Sequence, residues 1–150
     1  MTDWRAVTVG AGAAAVYLAF LTFFPGFEGV RIEAVPLVLG TGLVAGAAAG
    51  LRADRGPTAG AWHGLLSGCL AGALFAVTLV VVFTENLPFG VFHGLNYVVA
   101  TSASQFAVVA THGPMVVAGI AGAGWGAIAA LGLVAGRQAP LRETYGVVEE

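Results

Sequence analysis

The chain has 150 residues, 58% of them hydrophobic, with 23 glycines, six basic and eight acidic residues and a formal net charge of −2. Charged residues make up only 9%, against about 25% in a soluble domain, so a hydrated skin is excluded and lipid must cover much of the surface. The absence of a basic cluster excludes nucleic acid as a partner, and a single cysteine excludes a disulfide-stapled secreted domain.

The first apolar run extends from about Ala6 to Phe24 and is closed by "PGFEGVRIE". Asp3 beside Arg5, and the lack of a small-x-small cleavage site, favour a membrane span over a cleaved leader. Its "VTVGAGAAA" imitates a dinucleotide-binding turn, with Glu33 in the place of the ribose acid. The intervening "VYLAFLTFF" lacks the polar face that a helix of such a fold presents, so no nucleotide cofactor is expected.

The second run covers about 34–51, with Pro36 tolerated in the first turn. The third covers about 61–83, and the fourth about 115–136, preceded by Pro114. Each is close to the 20 or so residues that a helix needs to cross hydrocarbon, and none contains Asp, Glu, Arg or Lys. Long runs without two-residue alternation exclude a β-barrel. The expectation is one polytopic all-α membrane domain over residues 1–150: a four-helix transmembrane bundle packed by glycine zippers, with a tail at 137–150.

Between the third and fourth spans lies 87–112, "LPFGVFHGLNYVVATSASQFAVVATH". As a helix it gathers Phe92, Leu95, Val99, Phe106 and Ala110 on one side, and His93, Asn96, Thr101, Ser104 and Gln105 on the other. That amphipathicity predicts an interfacial or re-entrant segment. A fifth crossing is the alternative, but it would level the arginine count on the two sides of the membrane. With four spans and both termini in the cytoplasm, Arg5, Arg52, Arg55, Arg137 and Arg142 are inside and only Arg31 is outside, as the positive-inside rule requires.

Glycines carry the strongest pattern. Gly60, Gly64, Gly68 and Gly72 recur every fourth residue of the third span, and Gly42, Gly46 and Gly50 repeat the spacing in the second. Steps of four drift only about 40° around a helix, so each set forms one bare strip that allows backbones to approach closely. The two strips, joined by "RADRGPT", predict a hairpin of spans two and three packed glycine to glycine. Gly122 and Gly126, then Gly132 and Gly136, extend the theme to the fourth span, which docks on the hairpin's other side or on a neighbouring subunit.

Candidate chemistry is sparse. His63, His93 and His112 lack the spacing of helical metal ligands, so no metal or cofactor is expected. His63, beside Trp62, reads as a positioning residue that hydrogen-bonds a carbonyl or a headgroup. Cys69 reads as inert packing. No catalytic triad, carboxylate pair or intramembrane charge is visible, so an enzyme is not expected. The function class that remains is a structural, accessory or scaffold subunit that touches lipid and associates with itself or with a larger membrane complex. The alternative is an oligomeric facilitator for a small neutral solute, lined by Asn96, Thr101, Ser104 and Gln105 with His63, His93 and His112 as further polar positions.

The motifs "DWRAVTVG…FPGF", "GTGLVAGAAAG" and "GAWHGLLSGCLAGAL" resemble a group of small haloarchaeal membrane proteins catalogued as a domain of unknown function. The resemblance covers roughly residues 3–82, with Trp62-His63-Gly64 its most specific element. It implies a multi-span, glycine-rich architecture and carries no activity.

Overall fold

The computed structural model describes residues 2–53, 56–85 and 89–145. Arg55 of the arginine count, Leu87 and Pro88 of the polar segment and the final five residues of the tail lie outside the described residues. Helix α1 (Trp4–Phe23) starts where the Asp3 carboxylate accepts the Arg5 amide at 2.9 Å, a side-chain N-cap. It stops at Phe24, which is extended ahead of Pro25, because proline disfavours helical geometry in the residue before it. A short 3-10 turn, Pro25–Phe27, follows, and Phe20, Phe24 and Phe27 cluster with ring centroids 5.0–5.7 Å apart.

Helix α2 (Ala34–Arg52) ends on a basic residue that complements its dipole. Helix α3 (Gly56–Thr84) is ten residues longer than α2. Two short helices, α4 (Val91–Gln105) and α5 (Ala107–Thr111), are separated by an extended Phe106. Helix α6 (Gly113–Tyr145) is the last of the described elements. Four helices are long and apolar enough to cross a membrane: α1, α2, α3 and Gly113–Ala139 of α6. No strand occurs among the described residues, and the protein is an all-α, multi-pass membrane bundle. The 15 residues of α4 reach about 22 Å, short of the ~30 Å hydrocarbon thickness, so residues 89–112 do not supply a fifth span of this kind. α3 begins earlier than the apolar run suggests, and α6 continues as helix to Tyr145 through residues expected to form the tail.

The inside-out distribution of large side chains fits a hydrocarbon solvent. Val16, Phe23, Val77 and Met115 are all more than 60% exposed, whereas Leu18, Leu21, Val38, Phe75, Leu79, Phe92 and Ile128 form the core.

α6 is the centre of the assembly. It packs most extensively on α3 and next on α2, while α1 lies against α2 and α3. Gly42, Gly46 and Gly50 meet Ile128, Gly132 and Gly136 in that order, so α2 and α6 run parallel. Gly64, Gly68 and Gly72 meet Gly132, Ala129 and Trp125, so α3 runs antiparallel to α6. The glycine strips of α2 and α3 therefore do not face each other, contrary to the hairpin expectation; both face α6. The physical reason is that a bare strip specifies a side of a helix and a close approach, without specifying which partner comes close.

At the opposite end, α2 is about 15 Å shorter than α3 at 1.5 Å per residue, and α4 fills the space above it. Gly94 sits against the Val30 carbonyl and Ala34, and Phe92 is fully buried with its ring stacked 6.2 Å from that of Phe75. Entry to α4 turns on Gly90, at φ +50° and ψ −127° and pressed on the Leu21 and Thr22 carbonyls. Only glycine takes that conformation without strain and leaves room for those oxygens.

Candidate functional site

The most constructed region is the three-helix seam of α2, α3 and α6. A Cβ placed on Gly64 or on Gly46 would collide with the Gly132 carbonyl, and one on Gly136 with the Gly60 carbonyl. A Cβ on Gly132 would in turn meet the Gly64 carbonyl at 2.5 Å. Backbone-on-backbone contact of this kind gains dispersion and weak Cα–H···O attraction, and any side chain larger than hydrogen forces the helices apart. Gly10 of α1 meets Ala45 and Ala49 of α2 and Ser67 of α3, bringing a further helix to the back of the seam.

Polar groups in the seam are matched, with one exception. The buried Ser67 hydroxyl is shared between the Ala45 carbonyl across the interface at 3.1 Å and its own-helix Gly64 carbonyl at 3.2 Å. Tyr17 donates its hydroxyl to the Leu37 carbonyl at 3.0 Å, and the Trp125 indole N–H donates to the Cys69 carbonyl at 2.9 Å. The Thr41 hydroxyl, fully buried, has no partner; Leu37, one turn earlier, gives its carbonyl to Tyr17.

His63 sits where α3 meets the amino end of α1 and is 4% exposed. Its Nδ1 lies 2.6 Å from the Ala59 carbonyl, and its Nε2 accepts the Asp3 amide at 2.8 Å. The pair of bonds defines one tautomer, with the proton on Nδ1 and the lone pair on Nε2. Trp62, half exposed, donates its indole N–H to the Thr2 hydroxyl at 3.3 Å. Together these two residues fasten the start of α1 to α3. Because the Asp3 N–H occupies the Nε2 lone pair, the ring is not free to bind a metal or to accept another proton donor. No group of three or more metal-ligating side chains occurs among the described residues.

Replacing His63 with leucine is expected to strip the Asp3 amide of its acceptor. The loss is about 0.5–1.5 kcal/mol, the net value of one such bond. Hydrogen exchange at residues 3–7 should accelerate while exchange in the α6 seam stays unchanged; unaltered protection of α1 would refute the fastening role.

The other polar positions are not brought together. His93, Asn96, Thr101, Ser104, Gln105 and His112 are exposed. Thr101 bonds the Tyr97 and Val98 carbonyls of its own helix, and Ser104 that of Thr101. The best-anchored residue of this face is Tyr97, over which the Arg31 guanidinium lies 4.5 Å from the ring centroid, a cation–π contact. The helix-packing candidates divide. Gly42, Gly46, Gly50, Gly60, Gly64, Gly68 and Gly72 are in the seam, whereas Gly122 and Gly126 have nothing within 4 Å of a Cβ. Their spacing matches that of the seam glycines, but they occupy the side of α6 turned away from α2 and α3, and Gly132 and Gly136 make the contacts.

Sequence reasoning did not single out Ser67 or Trp125, nor Gly10 as a packing residue. For Ser67 the signal was present: a hydroxyl one turn beyond His63 and on the glycine side of an otherwise apolar run. Gly10 was noticed only as part of the nucleotide-turn look-alike "VTVGAGAAA", because with Gly12 it lacks the four-residue period of the packing strips.

Comparison with known proteins adds no relative: no family model matches the chain, and no curated protein or solved structure is significantly similar to it.

Proposed function

We propose that the chain is a membrane scaffold or accessory subunit that receives another transmembrane helix, from a second copy or from a larger complex, on the outward side of α6. The observation that carries this reading is an asymmetry within α6. Its span is 22% buried, against 39–44% for the other three, and its uncovered side presents Gly119, Gly122 and Gly126 with open space where a Cβ would stand. The same spacing, turned inward, is the device by which this chain brings its own helices into backbone contact, a glycine zipper. Lipid tails compete poorly for a bare strip that a helix can approach closely. The facilitator reading has less in its favour, because its polar residues on α4 are exposed and not gathered into a lining, and Thr101 and Ser104 bond to their own helix.

The orientation belongs to the same proposal. Arg5, Arg52 and Arg137 stand at the end of the bundle where Gly50 and Gly60 meet Gly136 and Asp3 meets His63. Arginine excess of this kind marks the cytoplasmic side. Haloarchaeal origin, drawn from the resemblance and from a composition with no lysine and eight acidic against six basic residues, is part of the proposal too.

The test is Gly122→Leu combined with Gly126→Leu. In mild detergent the unaltered protein should be recovered with copies of itself or with a larger membrane partner. The double variant should come out alone, weakened in association by about 1–3 kcal/mol, with an unchanged melting temperature, since neither glycine touches the fold. Strictly monomeric, partner-free wild-type protein would overturn the proposal.

A further inference from the structure

A second feature of the α2–α6 pair points to a small-molecule partner rather than a helix. The two parallel helices touch at Gly42, Gly46 and Gly50, and beside that line of contact they leave a cleft of about 360 Å³. One wall is Leu43, Ala47 and Leu51 and the other Val134, Ala135 and Gln138. Leu43 to Leu51 covers about 12 Å of helix, most of the ~15 Å that one leaflet's hydrocarbon contributes to the bilayer core. Alanines on both walls make the cleft narrow and apolar, shaped for a hydrocarbon chain.

One end of the cleft has a different character. Across residues 34–52 the only charged residue is Arg52, immediately after Leu51; across 113–139 it is Arg137, immediately before Gln138. Both arginines are exposed. The Gly50–Gly136 contact puts them within two residues of one crossing point, hence at one depth in the membrane. Neither stretch contains a carboxylate; the nearest in sequence are Asp54 and Glu143. At that depth the N–H donors available to a phosphate are Gln138, which lines the cleft, and the exposed Arg52 and Arg137, each next in sequence to a lining residue, and an acyl chain has the groove above.

We propose that the cleft between α2 and α6 binds one anionic glycerophospholipid, an acyl chain lying between Ala47 and Ala135 and the phosphate at the Arg52–Gln138 end. Basic pockets between membrane helices recognise such headgroups by charge, while the apolar walls make retention depend on the chain as well.

Native mass spectrometry of the full chain, with phosphatidylglycerol or phosphatidylcholine added to the detergent, tests this. Phosphatidylglycerol should persist as a single adduct under activation that strips phosphatidylcholine. Arg52→Gln should lower its retention about fivefold, the factor for one basic group near the headgroup. Ala47→Phe should abolish it by filling the cleft, whereas Ala15→Phe, in the groove between α1 and α3, should leave it intact. Should Ala47→Phe impair folding, Arg52→Gln with Arg137→Gln still decides, because neither contributes to the core. Equal retention of the two lipids, or retention unaffected by these variants, would overturn the site.

Discussion

Alanine in place of Phe92 is expected to destabilise the protein by about 3–5 kcal/mol, the range for deleting a buried phenyl ring without collapse of its surroundings. Phe92 is fully enclosed, stacked on Phe75, and lies in the first turn of α4. The helices around it cannot close over the void, because α3 is anchored along α6 by backbone contacts and Phe75 is itself held against Gly124 of α6. The loss should appear as a lower thermal midpoint in detergent, with the earliest protease cleavage in α4, since only the first half of that helix is buried: Val91, Phe92, Gly94 and Leu95. An unchanged midpoint would mean that α4 rests on the bundle without contributing to it.

Leucine at Gly132 should be at least as damaging. Both Gly46 and Gly64 press on the carbonyl of this residue, and its own missing Cβ faces the Gly64 carbonyl. There is no side chain in the contact that can rotate aside. α2 and α3 must both move off α6, and the expected destabilisation is about 3 kcal/mol or more, the upper end for overpacking. Gly132→Ala should fall in the same direction with a smaller effect, and the Gly122→Leu/Gly126→Leu protein should melt like wild type. That ordering, read by thermal denaturation in one detergent, separates backbone contact from a general intolerance of bulky residues in α6. Equal melting of Gly132→Leu and wild type would refute the seam.

How far the architecture could be read in advance follows from what each signal encodes. The four spans were visible because a charge-free run of about 20 residues, in a chain this apolar, is matched in length to the hydrocarbon it must cross. The amphipathic reading of 87–112 located Phe92 and Leu95 on an apolar side, and both are buried. It placed Phe106 there too, yet Phe106 is 61% exposed, because the helix breaks at that residue and the face is lost. The glycine repeats located the close approaches, but a period carries the azimuth of a strip and nothing about the helix that will meet it. Gly64 and Gly126 read alike in sequence; one is buried against Gly132 and the other opens outward. His63 was legible as a positioning residue from its place before the third span's glycines. Its Asp3 partner, sixty residues away, was not, since nothing local ties a histidine to a distant amide.

The parallel pairing of α2 with α6 has a consequence for biogenesis. The ribosome finishes α3 well before it reaches Gly113, and at about 5–20 residues per second the nascent chain waits several seconds for its last span. Through that delay the hairpin stands with the two backbone tracks that α6 will cover still open. The last span to be made is thus the one that fills the contact surface of two earlier ones, and a chain ending before Gly113 would leave both glycine tracks uncovered.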